Sequence, residues 1–594
     1  MLPAGRASLA NLPPDLLPKI ASFCTDRALD GLACTCSWAR ECAREEWRGR
    51  LLARFPHSTW RGVRDARRAC LALERLDETR WIERTPVPGT APWDRGGQAS
   101  SVVDSGAGRA IVVHGGANGE VFHSDSFALT ESGSDVHGAS GIDGGNARFT
   151  WTALASADAP SPRWAHSAVS LESDVVIFGG HWGVHGALGD LAVLDCASAR
   201  AEQWRWVASS DVEVSGDGPC RRHSHACCAH AGVLWLCAGI KHGAAEPELP
   251  GLACANDLYS ATVVRLRSDG RRATASGPSR GGSNSTASRQ VLWTRHDPNG
   301  PLPSKRFGHT LCSVRAGVCM FGGRAIPGGM PGGMPAPCSE LWILRGASDA
   351  TPAAPAASSA EHGRGSGGSA LPSGRVLPAH PQLGVGGSLG FGTSGRREAL
   401  RWERLETRGA PPARAFHACV ALGDSILILG GEGEAASLAL SELDVSYLDD
   451  MHLLRLTAAR AVGRPGGGGG MGAGGSSGGG AGEGEGGAGG NHGNAATTSA
   501  AGTSVTGAGT SVAVTDAPAA ASASTAYADD DDDAPPTWRA VIPAGYESAP
   551  PSSLASVHVV GGSLFIFGGF NLLIEADLSR LHTIALLPPG CEYE

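Results

Sequence analysis

No stretch of this 594-residue chain approaches the roughly 18 consecutive apolar residues that a membrane-spanning helix requires, so no span is expected. Met1 to Leu17 lacks a basic segment followed by an apolar run, and Pro13, Pro14 and Pro18 interrupt its leucines, so no secretion signal is expected either. Long runs of Lys or Arg are also missing. With 49 basic against 58 acidic residues the formal charge is −9, which argues against a nucleic-acid-binding surface and against a basic patch for membranes. The 16 cysteines have no zinc-ligand spacing: Cys34 with Cys36, and Cys227 with Cys228, do not fit a metal site. The thiols are expected to stay reduced and to serve as small apolar residues. Together these absences describe a soluble protein of the cytoplasm, the nucleus or both, with no metal, cofactor, nucleic-acid or membrane requirement.

What the chain has in abundance is turn-forming residues, 86 Gly and 37 Pro, and a repeat. The clearest copy runs Pro162-Arg163-Trp164-Ala165-His166, Val175-Val176-Ile177-Phe178-Gly179-Gly180, Asp190-Leu191-Ala192-Val193-Leu194, then Trp204 or Trp206. Related units carry Arg95, Gln98, Gly115-Gly116 and Trp151; Arg222, His225, Gly239 and Trp293; Arg306, His309, Gly322-Gly323 and Trp402; and Arg414, His417, Gly430-Gly431 and Trp538. A last unit has Ser553 and Ser556 where the others have Arg and His, keeps Gly568-Gly569, and continues from Asp577-Leu578. Each unit supplies about four short strands, and since no single sheet of this kind buries both faces, the units must stack radially. The last unit ends at Leu587 without a Trp strand, so Trp81-Ile82-Glu83-Arg84, which precede the first unit, are expected to complete it.

The Gly-Gly and Trp signature resembles the kelch repeat over roughly residues 81 to 590. A second resemblance lies ahead of it. Leu12-Pro13-Pro14-Asp15-Leu16-Leu17, Ile20 and Phe23 are followed by Leu29, Leu32, Ala33, Cys36, Trp38, Ala43, Trp47 and Leu51 at helical spacing, and this stretch resembles an F-box. The expected fold is therefore an all-β six-bladed kelch β-propeller with a small N-terminal all-α F-box domain. The F-box occupies 9–55, a helical linker 56–80 and the propeller 81–590, with blades near 95–151, 162–206, 219–293, 303–402, 412–538 and 550–587, the last closed by 81–84. Segments rich in Gly, Ala and Ser at 267–290, 346–399 and 458–535, the last with Gly466 to Gly470 and the acidic run Asp529 to Asp533, are expected to be disordered inserts emerging from one rim.

The F-box resemblance implies a Skp-type adaptor and a cullin scaffold as partners, with Leu12, Pro13, Leu16, Leu17, Ile20 and Trp38 at the interface or supporting it. Arg95, Arg163, Arg222, Arg306 and Arg414 fall near the axis on the face opposite the inserts. They are either a ring that binds an acidic or phosphorylated substrate segment through guanidinium forks, or stitches between blades. His166, His225, His309 and His417 read as buried structural residues. Copper-radical oxidases of this shape need tyrosine and histidine ligands near the axis, whereas this chain has five tyrosines, with Tyr527 and Tyr593 outside the strands. No phosphate-cradling Gly-rich loop with Lys, Gly-x-Ser-x-Gly elbow or His-Glu-x-x-His helix is present, so no catalytic residue is expected. Two functions remain: the non-catalytic substrate receptor of an SCF-type ubiquitin ligase, or a kelch scaffold for cytoskeletal or signalling proteins.

Overall fold

The computed structural model describes residues 16–55, 63–82, 91–105, 108–119, 121–132, 148–241, 253–266, 288–326, 335–348, 399–434, 446–456, 535–544, 553–560, 562–570, 581–588 and 591. All of them belong to one compact unit, Met1–Ala458 with Pro535–Glu594; a second, Ala459–Ala534, lies outside the described residues. Apart from a few edge residues, so do the three inserts, together with Leu12, Pro13, Glu83, Arg84, Asp577 and Leu578.

The head has four described helices: α1 (Leu16–Phe23), α2 (Asp26–Ala33), α3 (Ser37–Arg54) and α4 (Ala66–Arg75). The last three begin on side-chain caps, with Thr25 Oγ1 accepting from Ala28 N (3.3 Å), Cys36 Sγ from Ala39 N (3.4 Å) and Asp65 Oδ1 from Arg68 N (2.9 Å). Ala39, Ala43, Trp47 and Leu51 recur every fourth residue along α3 and are buried. Trp38, which the sequence pattern placed in that stripe, is only half-buried because Ala39 takes the inward position. The head's core continues into the sheets. Trp47, Leu51, Phe55 and Leu73 share one apolar cluster with Leu422, Leu427 and Leu453 of the fifth unit and Val559, Leu564 and Ile584 of the sixth. A 40-residue helical module buries too little surface to stand alone, and this shared core supplies the remainder. The approach is close at Gly423, whose φ is +60° and where a Cβ would run into the Arg54 carbonyl oxygen, so glycine is required twice over.

Five four-stranded antiparallel sheets and one nine-stranded sheet make up the propeller. Units one, two, four and five each run in chain order from the inner strand outward: Ala99–Ser105 to Arg148–Ala153, Ser167–Leu171 to Arg205–Trp206, Thr310–Val314 to Arg401–Leu405, and Ala418–Leu422 to Trp538–Ala540. In the sixth, Ser556–Val560, Ser563–Phe567 and His582–Ala585 are completed by Arg80–Trp81, with Trp81 opposite Ile584. The nine-stranded sheet holds the third unit, Ala226–His230, Val233–Lys241, Ala253–Arg265 and Arg289–His296, in the same antiparallel order. It also carries Val212–Gly216 as an outer parallel strand, which the repeat pattern did not suggest.

Two devices hold the sheets around the axis. The Trp of a unit's last strand packs on the residue before the neighbouring Gly-Gly: Trp151 on Phe567 (5.3 Å between ring centroids), Trp206 on His114 (5.2 Å), Trp293 on Phe178 (5.4 Å) and Trp538 on Phe321 (5.1 Å). Inside, six residues, one from each unit, form a closed circuit of backbone hydrogen bonds of 2.7–3.4 Å: Gly97 donates to Leu554, Leu554 to Phe416, Phe416 to Gly308, Gly308 to Ser224, Ser224 to Ala165 and Ala165 to Gly97. All six have left-handed backbones, φ +52° to +66°, which costs the four non-glycine members some strain.

Candidate functional site

The five repeat arginines are fully buried, and their donors are spent within their own units. Arg163 shows the pattern. Its Nε donates to the Ser161 carbonyl (2.9 Å), Nη1 to the Gly179 carbonyl (3.0 Å) and Asp190 Oδ1 (3.0 Å), and Nη2 to Asp190 Oδ2 (2.7 Å) and Ser161 Oγ (3.0 Å). All five N–H groups of the guanidinium are thereby satisfied. Arg95 pairs in the same two-pronged way with Asp125, Arg222 with Asp257 and Arg414 with Asp450, while Arg306 gives Glu340 one bond through Nη2 and turns Nη1 to Cys338 Sγ (3.4 Å). Burial raises the Asp257 carboxyl, but the hydrogen bond and charge of Arg222, joined by Lys241, overrule it and hold the group at about 2. Arg95, Arg163, Arg222, Arg306 and Arg414 therefore stitch the turn after each unit's second strand, Gly-Gly in four units and Ala238-Gly239 in the third, to its third strand, and the substrate-binding role read for them is corrected: no fork is left to offer a ligand.

The axial channel, about 140 Å³, is lined by Gln98, His166, His225, His309 and His417 among others. His225 Nε2 meets Ser167 Oγ at 3.0 Å and His417 Nε2 meets Thr310 Oγ1 at 2.8 Å. The equivalent position facing His309 is Ala226, and neither ring nitrogen of His309 has a partner. Burial, then the charge of Arg306 or Arg414, pushes His309 and His417 down to about 3, so both imidazoles are neutral at physiological pH.

On the face where the Gly-Gly turns emerge, a cleft of about 270 Å³ opens between the first, second and sixth units. Phe122, Trp164, His181, Leu554 and Phe570 line it over the bare backbone of Gly96. The repeat did not reveal it, since the residue types at these positions differ from unit to unit, Trp164 standing where other units have Gly96, His223, Phe307 or Ala415.

On the head, Leu16 and Ile20 are exposed at 38 % and 36 % and Phe23 at 89 %, a row of apolar side chains on α1 that the shared core leaves out. Leu17 is fully buried, so its side chain supports that row from beneath and cannot itself be an interface contact. Trp38 is half-buried, and Leu12 and Pro13 lie outside the described residues. Among the described residues no group of three or more His, Cys, Asp or Glu is placed to hold a metal ion, and no helix is long and apolar enough to cross a membrane.

The repeat and the sheets together define a β-propeller. The chain is similar to the human protein Kelch domain-containing protein 3, with 27 % identity over 282 residues, 46 % of this chain and 61 % of that protein. It thus matches about three fifths of the relative's length. A solved structure titled "Structure of YjhT" aligns over 61 % of this chain and 82 % of that one at 14 % identity and a TM-score of 0.34. No protein-family model matches.

Proposed function

We propose that this protein is the substrate-recognition adaptor of an SCF-type ubiquitin ligase: a six-bladed propeller, closed by Arg80–Trp81 as an N-terminal clasp, that holds a protein substrate, and an F-box head that docks on a Skp-type adaptor and through it a cullin scaffold. The adaptor does no chemistry of its own; it raises the local concentration of a substrate lysine near the charged enzyme, in the cytoplasm or nucleus. The observation that carries the reading is the row Leu16, Ile20 and Phe23, exposed on α1 while Trp47, Leu51, Phe55 and Leu73 of the head are taken into the core shared with the propeller. The six-residue hydrogen-bond circuit and the pairing of Trp81 with Ile584 support the ring and its clasp. The test is capture by a purified Skp-type adaptor. Wild type should bind, and a Leu16→Asp, Ile20→Asp double variant, altered only at exposed positions, should fold yet lose binding by at least about tenfold. Equal capture of both, or of neither, refutes the proposal. The shared core also favours a second reading, in which the head is a built-in cap of a kelch scaffold and docks on nothing.

A further inference from the structure

We propose that the cleft between the first, second and sixth units is the propeller's anchor site and that it takes an alkylated ammonium group carried on a protein partner, the side chain of a methylated lysine. This rests on the reading of the propeller as a protein-binding module and names the chemistry it selects.

The walls are aromatic and set by bare backbone. Trp164 and His181 stand nearly perpendicular, 81° apart with centroids at 6.3 Å. The indole lies against Gly97, where a Cβ would sit 3.0 Å from its Cε3, and the Phe122 ring lies against Gly183, where a Cβ would sit 3.3 Å away. Trp164 Nε1 donates to His181 Nδ1 at 3.4 Å, so the indole donor is used within the wall. Phe122, Trp164 and Phe570 place three aromatic rings on the lining of one small cavity, and aromatic rings attract organic cations.

Among the described residues, no Asp, Glu, Lys or Arg lines the cavity. An unmodified lysine ammonium would bring three N–H donors to a described lining that offers no carboxylate, which is costly, whereas a trimethylated ammonium brings charge without donors. The surrounding charge has the right sign. In the loops that supply Phe122 and His181, Asp125 and Asp190 are 40 % and 52 % exposed, while their partners Arg95 and Arg163 are 0 % exposed. Solvent therefore meets the carboxylate half of each pair, on a chain of net charge −9.

The test titrates full-length protein with a short peptide containing trimethyllysine and with the same peptide carrying the neutral isostere, carbon replacing the ammonium nitrogen. The charged peptide should bind roughly tenfold or more tightly than the isostere. Phe122→Leu and Trp164→Leu, checked for folding by their melting temperatures, should abolish that preference. Equal or tighter binding of the isostere, or saturable binding of neither peptide by wild type, overturns the proposal, and this comparison needs no variant. Adaptor capture on the same preparation separates the readings, since its loss with the peptide preference intact counts against the ligase role alone.

Discussion

The imidazoles around the axis are neutral, buried and unequally satisfied, and both their neutrality and their unequal partners have measurable consequences. His309 folds with its pKa near 3 because of burial and the Arg306 charge, against about 6.5 in an unfolded chain. The folded-state value is depressed, so the unfolded state takes up the proton first as pH falls. The stabilisation is complete above pH 6.5 and is lost progressively between 6.5 and 3, at up to about 1.4 kcal/mol per pH unit for each such group. His166, His225 and His417 shift in the same direction. Denaturation midpoints should therefore decline from pH 7 to pH 5, and His309→Gln should flatten that slope by close to one proton's worth; an unchanged slope would contradict the assignment. Ser167 and Thr310 supply hydroxyls to their neighbours' imidazoles where Ala226 supplies none. Ala226→Ser should give His309 its missing partner and raise stability by about 1 kcal/mol in chemical denaturation, and a loss of stability would mean that the pocket has no room for a hydroxyl.

At the scale of elements, the strands, the paired glycines and the Trp positions were legible because they recur, and a recurring signal averages out local ambiguity. The role of the arginines was left open between a ligand-binding ring and a structural stitch, although the signal to decide it was present. Each Arg-bearing unit opens its third strand with an acid, Asp125, Asp190, Asp257, Glu340 or Asp450, and pairing the two columns would have shown the fork already occupied. Which of the head's apolar residues are exposed was not legible for a different reason: helical periodicity identifies an apolar face but does not separate a buried support such as Leu17 from an exposed contact such as Ile20. The cleft was not legible because its aromatic residues are particular to their units: the position after the repeat arginine is Trp164 in the second unit but Gly96, His223, Phe307 or Ala415 in others, and ring closure brings Trp164 together with Phe122 and Phe570. Closure itself is testable at Arg80–Trp81. Ile82 N donates to the Thr583 carbonyl at 3.1 Å and Thr583 Oγ1 returns a bond to the Ile82 carbonyl. Trp81→Ala should speed hydrogen exchange in His582–Ala585 and Ser563–Phe567 while leaving the third and fourth units unchanged. A uniform increase would instead indicate global destabilisation, and no change would mean that the terminal strand holds nothing.

For the whole molecule, the arrangement separates two surfaces. The head is joined through a common core to the fifth and sixth units, whereas the aromatic cleft lies among the first, second and sixth. A rigid joint of this kind suits an adaptor that must hold a substrate at fixed distance and orientation from a reacting enzyme, because flexibility between the two sites would dilute the effective concentration it creates. The measurement that tests this most directly is hydrogen exchange of the full-length protein with and without a saturating Skp-type adaptor. The expected result is strong added protection confined to α1 and its immediate neighbours, with the loops bearing Phe122 and His181 unaffected. Protection of the propeller loops with none on Leu16–Phe23, or no protection anywhere, would contradict the adaptor role.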